Sequence, residues 1–383
     1  MAEPLKSMFG PEMVHRAAVA LATVDSDFDI DAFTEQALDG FDELELTPRA
    51  RQIADAMADH LPDDRHRAID IVVDSFGPEL ENCDPDDVVS TEDPAADDNS
   101  IGGFYYMSYG FFIADRGNDH FDQAMRANYE LTKRFTAEFS VRPFIEANTD
   151  GAMALLAEWA TDENVHVRRL VSEGTRPRLP WASQLKMFVV DPTPILSLLE
   201  TLKDDPVEYV RRSVANNLND IAKDHPQLVV DITKRWWADG DRNRRRLVRH
   251  ALRTLIKAGD AGALDVLGYA PNSPIRVAGV AIDPGEVTIG EKVSIEVTLE
   301  NPASAAAAAL VDLAIHFVKA NGSTSAKVFK GAEVEIEPGA DVVVRKKVSV
   351  AQHSTRTHHP GEHAVDVLIN GRTDRVGSFE LTT

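Results

Sequence analysis

The sequence predicts an all-α HEAT-like repeat solenoid over residues 1–270, followed by a small all-β immunoglobulin-like sandwich over residues 275–383. Three observations carry that division. Up to about Gly268 the apolar residues recur at three- and four-residue spacing, the period of amphipathic helices. Within that part the pattern Asp, four residues, then Val-Arg-Arg-x-Val occurs twice, from Asp162 to Val171 and from Asp205 to Val214. From Ile275 onward the period drops to two, with turn residues between the runs.

Composition narrows the alternatives. A chain of 383 residues has room for two domains, and 43% apolar residues supply a core for each, which excludes wholesale disorder. A single cysteine, Cys83, excludes an internal disulfide and a cysteine-based zinc site. MAEPLKSMFG lacks the apolar stretch of a secretion signal, and no run of about 18 apolar residues occurs, so a cytoplasmic protein with no membrane span is expected. The net charge of -23 argues against nucleic acid until its distribution is considered. Residues 1–100 hold 6 Lys/Arg against 26 Asp/Glu, a net of -20, whereas residues 160–260 hold 18 against 14, a net of +4. The acid is segregated from the arginine-rich repeats, which leaves a local basic face available.

Taken in order, MFGPEMVHRAAVALATV, DIDAFTEQALDGF, TPRARQIADAMADHLP and DRHRAIDIVVDSFG read as helices, with Thr47 as an N-cap and Pro48 at the first helical position. NCDPDDVVSTEDPAADDNSIGG reads as an acidic surface loop. The aromatic-dense FYYMSYGFFIADRG reads as a buried helix contact rather than a base-stacking platform. HFDQAMRANYELTKRFTAEFSVRPFIEA reads as one or two helices, with Glu138 set among Phe135, Phe139, Val141 and Phe144. Burial there would raise that carboxyl unless a cation pairs with it.

Asp162, Asp205 and Asp239, spaced 43 and 34 residues apart, each begin a turn into a helix carrying Arg168-Arg169, Arg211-Arg212 or Arg245-Arg246. That spacing falls in the period range of helical-hairpin repeats, whose units bury their apolar faces by stacking. We expect one arginine of each pair to salt-bridge its own unit's aspartate and the other to stand free, forming a guanidinium ladder suited to phosphates. Beyond Ile275 about seven strand-like runs are separated by Asp283-Pro284-Gly285, Asn321-Gly322, Glu337-Pro338-Gly339, Pro360-Gly361 and Asn370-Gly371, the texture of a sandwich without its disulfide. QHSTRTHHPGEH, residues 352–363, is a polar loop offering Ser354, Thr355 and Arg356 to a phosphate.

No phosphate-binding glycine loop and no H-E-x-x-H motif is present, so nucleotide hydrolysis and zinc proteolysis have no support. His353, His358, His359 and His363 lie in a loop with no cysteine nearby, and no metal or other cofactor is expected. The carboxylates Glu173 and Asp220 are more informative. Glu173 is followed at once by Gly174 and a rigid Arg-Pro-Arg-Leu-Pro-Trp segment ending at Trp181. Asp220 closes a helix containing Asn216, Asn217 and Asn219, poor helix formers that need partners. An acid beside an indole in a basic groove suits a cationic group on a nucleic acid. The ring face attracts a cation, and the carboxylate stabilises positive charge developing on a sugar.

EPLKSMF, LTKRFTAEFSVRPF, HVRRLVSEGTRPRLPW, SVANNLNDIAKDHP and RHALRTLIKAGD resemble the AlkC family of alkylpurine DNA glycosylases, HEAT-like repeat proteins, over nearly all of residues 1–270. The C-terminal part with STRTHHPGEH resembles the immunoglobulin-like domain of one AlkC subgroup, where it helps grip DNA. The resemblance implies base release from double-stranded DNA carrying cationic alkylated bases, by a monomer at the nucleoid, through a dissociative path without full base flipping. It also implies a bent duplex held by backbone contacts. It places Glu138, Glu173, Trp181 and Asp220 in the active site. The expected DNA contacts are Arg142, Arg169, Arg176, Arg178, Arg212, Asn216, Asn217, Arg246, Arg249, Ser354, Thr355, Arg356 and His359. The acidic balance predicts weak binding with a steep salt dependence. The competing reading is a non-catalytic repeat scaffold that binds DNA or protein.

Overall fold

The computed structural model describes residues 9–82, 103–269, 272–352 and 357–383. Long-range contacts divide the chain into two compact units, residues 1–224 with 241–251, and residues 225–240 with 252–383. Helices occupy the described chain as far as Val266, and strands begin at Arg276. Among the described residues no helix is long and apolar enough to cross a membrane.

The first unit is a stack of helices whose buried faces follow the predicted spacing. Helix Pro11–Val24 buries Met13, Val14, Ala17, Ala18 and Leu21, positions three and four apart that share one face. Asp29 and Asp64 accept backbone N–H groups at the starts of Ile30–Leu38 and Arg65–Asp74, which satisfies donors that have no partner inside the helix. The expected Thr47 cap is displaced. Helix Leu46–His60 begins two residues earlier, with Glu45 at the cap and no side-chain hydrogen bond. Pro48 still fits, because the first-turn N–H groups lack intrahelical partners anyway. The aromatic stretch forms helix Tyr106–Arg116, burying Tyr106, Tyr109, Phe112 and Ile113. The acidic segment from Cys83 to Gly102 lies outside the described residues. Helix Val165–Gly174 packs on Glu208–Ile221, which packs on Arg242–Ala251.

The second unit joins the helices Pro226–Ala238, Arg253–Lys257 and Ala261–Val266 to eight strands. Strands β1 (Arg276–Asp283), β3 (Lys292–Glu300) and β6 (Asp341–Ser349) form an antiparallel three-stranded sheet, order β1-β3-β6. Strands β2 (Glu286–Thr288), β4 (Ala307–Val318), β5 (Thr324–Ile336), β7 (Gly361–Ile369) and β8 (Arg372–Thr382) form a second sheet, order β2-β8-β7-β4-β5. Seven of these are the predicted runs. The eighth, β2, has three residues, too few to show alternation, and pairs in parallel with β8. Val293, Ile295, Val297 and Leu299 from one sheet and Leu313, Ile315, Val365 and Val367 from the other belong to one core.

Each turn signal falls between strands or at a strand start. Asn370 and Gly371 join β7 to β8 with φ of 48° and 80°, the left-handed pair that a tight hairpin needs and that Asn-Gly supplies at least strain. Gly371 has a second reason to be glycine. A Cβ on it would lie 2.8 Å from the Cα of Gly259, two residues beyond the helix Arg253–Lys257. Replacing Gly371 with alanine therefore adds left-handed strain, about 1–3 kcal/mol, to a backbone clash. We expect Gly371→Ala to lower the melting temperature of the full chain and to speed amide exchange in β7 and β8. Unchanged exchange there would mean the hairpin tolerates the side chain.

Candidate active site

The repeat motif has a local physical meaning. In the first unit the Asp162 carboxylate accepts the Asn164 N–H at 2.7 Å, and Arg168 donates back to the carbonyls of Asp162 and Glu163 at 2.9 and 3.1 Å. In the second, Asp205 accepts the Val207 N–H at 2.9 Å, and Arg211 donates to the carbonyls of Asp205 and Pro206. The first arginine of each pair thus closes the loop that leads into its own helix. The salt bridge runs differently from expectation. Arg168 binds the carboxylate of the next unit's aspartate, Asp205, with Nε at 2.6 Å and Nη2 at 3.2 Å. In the third helix Asp241, not Asp239, caps the start by accepting the Arg244 N–H, and Arg244 reaches back to Asp204 at 2.6 Å.

The second arginines diverge. Arg212 is exposed and makes no ion pair among the described residues. Arg169 instead turns inward, and around it the structure brings together the three predicted acids. Its Nη2 lies 2.9 Å from Glu138 and 3.8 Å from Glu173. Glu173 in turn accepts from Arg176 Nη1 at 2.6 Å, and Arg176 Nε donates to Asp220 at 2.8 Å. The result is an unbroken alternation, Glu138–Arg169–Glu173–Arg176–Asp220, closed at its outer end by Lys223, 2.8 Å from Asp220. The side chains of Glu138, Glu173 and Asp220 are 14%, 7% and 2% exposed, so Glu138 is the acid nearest to solvent.

Four members of this site escape sequence reasoning. Ser213 donates its hydroxyl to the second oxygen of Glu173. Thr136 donates to Glu138 at 3.1 Å and accepts from Arg169 at 3.2 Å. The Arg169 guanidinium sits over the Tyr209 ring, 5.0 Å from its centroid, and Lys223 closes the row. Ser213 and Tyr209 lie on the face of helix Glu208–Ile221 that meets Val165–Gly174, a pairing the sequence does not specify. Burial alone would raise the Glu173 carboxyl. Arg169, Arg176 and the Ser213 hydroxyl overcome it and hold the group below the ordinary carboxylate range. Burial opposes the charge on Arg169 and Arg176 too, and their carboxylate neighbours raise both.

Several expected DNA contacts are corrected. Arg142 is 1% exposed and donates to three backbone carbonyls, so its guanidinium is not offered to a phosphate. Arg169 and Arg176 are engaged by carboxylates. Asn217 is fully buried and donates to the Ser172 carbonyl and the Thr175 hydroxyl at 2.8 and 3.2 Å, tying the two repeat helices together. The amide-rich helix thus finds protein partners, and Asn216 meets His250 at 3.0 Å. Arg178 pairs with Asp224 at 2.8 Å and Arg246 with Glu208 at 2.9 Å, while Arg249 is half-buried. Trp181 is not packed against the acids. It stands 82% exposed with φ of 65°.

In the second unit His359 lines a cavity of about 600 Å³ together with Lys257, Lys319 and Lys327. Ser354, Thr355 and Arg356, and His353 with them, lie outside the described residues. His358 and His363 pack against Phe317 rather than facing a common point. Among the described residues no group of three or more His, Cys, Asp or Glu is placed to hold a metal ion.

Glu173 makes a sharp prediction. A carboxyl with a depressed folded-state pKa contributes stability in full above its ordinary value of about 4.5, and the contribution is lost as pH falls through the folded value. Glu173→Ala leaves two guanidiniums buried without that partner and should cost roughly 3–5 kcal/mol at neutral pH. Urea unfolding between pH 7 and pH 3 should show a shallower acid-side loss in the variant than in the wild type.

The chain is similar to known proteins in both of its parts. Residues 133–260, which carry all three acids and both bridging arginines, match the family model of a DNA alkylation repair enzyme. Residues 276–383 match the C-terminal Ig-like domain of YhaZ, an uncharacterised protein. YhaZ from Bacillus subtilis (strain 168) is 32% identical over 378 residues, spanning 98% of this chain and 99% of its own. Among solved structures, the Pseudomonas fluorescens alkylpurine DNA glycosylase AlkC, bound to DNA containing an abasic site analog, is 33% identical, with a TM-score of 0.86 and full coverage of both chains. With a helical, repeat-type N-terminal part, an Ig-like β-rich domain and near-complete coverage at this identity, the chain belongs to the AlkC/YhaZ-type family of DNA alkylation repair proteins.

Proposed function

We propose that this chain is a monofunctional DNA glycosylase of base excision repair, acting as a cytoplasmic, nucleoid-associated monomer on alkylated double-stranded DNA. Its substrates are cationic bases, 3-methyladenine first, with 3-methylcytosine and 1-methyladenine in the same charge class. The observation that carries this reading is the charge of the buried row. Three carboxylates alternate with two guanidiniums and leave one negative charge, and Lys223, whose side chain is 43% exposed, is screened by water. Such a row suits a positive charge brought to the Glu138 end. The reading is also supported by the AlkC structure, a complex with an abasic site analog, the kind of product base release would leave.

In this mechanism alkylation has already made the base a cation. The bond from C1′ to the base nitrogen breaks, its electron pair stays on the base, and the base leaves neutral. The sugar takes up the positive charge as an oxocarbenium ion, which Glu138, Glu173 and Asp220 stabilise. Water then adds at C1′ and gives up a proton. The leaving group needs little acid assistance, which fits a site of ionised carboxylates. Trp181 offers an indole face to the cationic base. We read the helical part as a HEAT-like solenoid, with Arg178, Arg212, Asn216, Arg246 and Arg249 on the duplex. The β-rich domain is read as an immunoglobulin-like sandwich contributing Ser354, Thr355, Arg356 and His359.

The cation partner on every acid favours a second reading, a scaffold that binds DNA or protein without catalysis. Base release from methylated duplex DNA separates the two. We expect the wild type to free 3-methyladenine. At least one of Glu138→Gln, Glu173→Gln and Asp220→Asn should lose at least about a hundredfold in rate, equivalent to about 2.7 kcal/mol of transition-state stabilisation. DNA binding without release at any salt concentration would leave the scaffold.

A further inference from the structure

Arg142 is a fully buried cation that makes no ion pair of its own among the described residues. At 1% exposure it is the largest of the fully buried side chains, and burial pushes its pKa down to about 10, still charged at neutral pH. Its Nη1 donates to the carbonyls of Gly174 at 3.0 Å and Arg176 at 2.8 Å, and its Nη2 to the carbonyl of Ser183 at 2.7 Å. A charge held only by backbone dipoles is costly, and here all three dipoles belong to one segment, residues 174–183. That segment ends the first repeat helix, whose terminal carbonyls favour a cation, and it carries Trp181.

The segment needs holding. Trp181 has φ of 65° and is 82% exposed, a left-handed conformation that for a bulky residue persists only where the surroundings impose it. Its own turns are few: Ala182 N–H to the Leu179 carbonyl at 3.3 Å and Leu185 N–H to the Pro177 carbonyl at 3.1 Å. Gly174 abuts the residue before Arg142 so closely that a Cβ would lie 2.8 Å from Val141 Cγ1. Arg176, whose carbonyl Arg142 grips, is the guanidinium between Glu173 and Asp220.

We infer that Arg142 is a positioning residue for base release: by clamping residues 174–183 it holds Trp181 in its outward, left-handed conformation. The inference rests on the glycosylase reading above. The test uses the full chain with Arg142→Lys, which keeps the charge but not the fork, Arg142→Gln as a second variant, Trp181→Ala, and the double variant Arg142→Lys with Trp181→Ala. Amide exchange should quicken across residues 176–185 in both Arg142 variants while the β-strand amides keep their wild-type rates. Single-turnover release of 3-methyladenine should fall about a hundredfold in Arg142→Lys, the scale set by displacing groups about 1 Å, with DNA affinity changed less than threefold. Added to Trp181→Ala, the same substitution should cost at least tenfold less than it does alone. Wild-type exchange rates in residues 176–185, or a full additional loss in the double variant, would overturn the inference. Absence of release by the wild type would sink the glycosylase reading instead, and exchange would still report whether Arg142 holds the segment.

Discussion

Two guanidiniums shared among three buried carboxylates set the geometry of the helical unit. Arg169 bridges Glu138 to Glu173, and Arg176 bridges Glu173 to Asp220. Each acid comes from a different part of the chain: the turn before Arg142, the end of the first repeat helix, and the end of the second. A buried charge without its partner costs several kcal/mol, so these three segments cannot drift independently. The helix–helix contact between Val165–Gly174 and Glu208–Ile221 therefore has a fixed register, and Asn217 and Ser213 reinforce it from the second helix. Such networks contribute less to net stability than to specifying one arrangement. For the base release proposed above, a single arrangement would be the useful property, because preorganised groups need no reorientation when charge develops.

The repeat works by the same rule at its outer edge. Arg168 closes its own loop through two carbonyls and grips the next unit's Asp205 through a bidentate pair, while Asp205 also accepts the Val207 N–H in the turn before its own helix. One aspartate thus serves two units. In the third helix the residue just before the first turn, Asp241, supplies the cap. Arg244 reaches back to Asp204 of the preceding unit and so links the second and third units.

Much of this was legible from residue order alone. Periodicity located the helices and seven strands, and Gly and Asn at the turns located their connections, because those signals are local. The three acids were also legible, through the break that Gly174 and the prolines impose and through the resemblance of HVRRLVSEGTRPRLPW. Side-chain destinations were not. Arg142, Arg169 and Arg176 look like any other arginine in a basic stretch, and only the approach of helices distant in sequence decides which guanidinium turns inward. Ser213 and Tyr209 carry no signal of their own for the same reason. Three asparagines in one helix announced a need for partners, yet nothing local says that the partner of Asn217 is the carbonyl of Ser172.

The inward arginines also bear on how an acidic chain meets DNA. A count of 18 Lys/Arg against 14 Asp/Glu over residues 160–260 implies a ladder of free guanidiniums. In the structure Arg168, Arg169, Arg176, Arg178, Arg244 and Arg246 each face a carboxylate, and Arg211 faces carbonyls. Each phosphate neutralised releases counterions and steepens the salt dependence by a similar increment. Cations already neutralised within the protein add little to that term unless they exchange partners. In the DNA-binding reading proposed above, engagement of the duplex would rest more on exposed positions such as Arg212, on neutral donors and on shape than on summed charge. For the proposed action on cationic bases this has a physical logic. A groove crowded with unpaired guanidiniums would repel the substrate base, whereas one whose arginines are held by carboxylates keeps the local potential negative where the positive charge must sit.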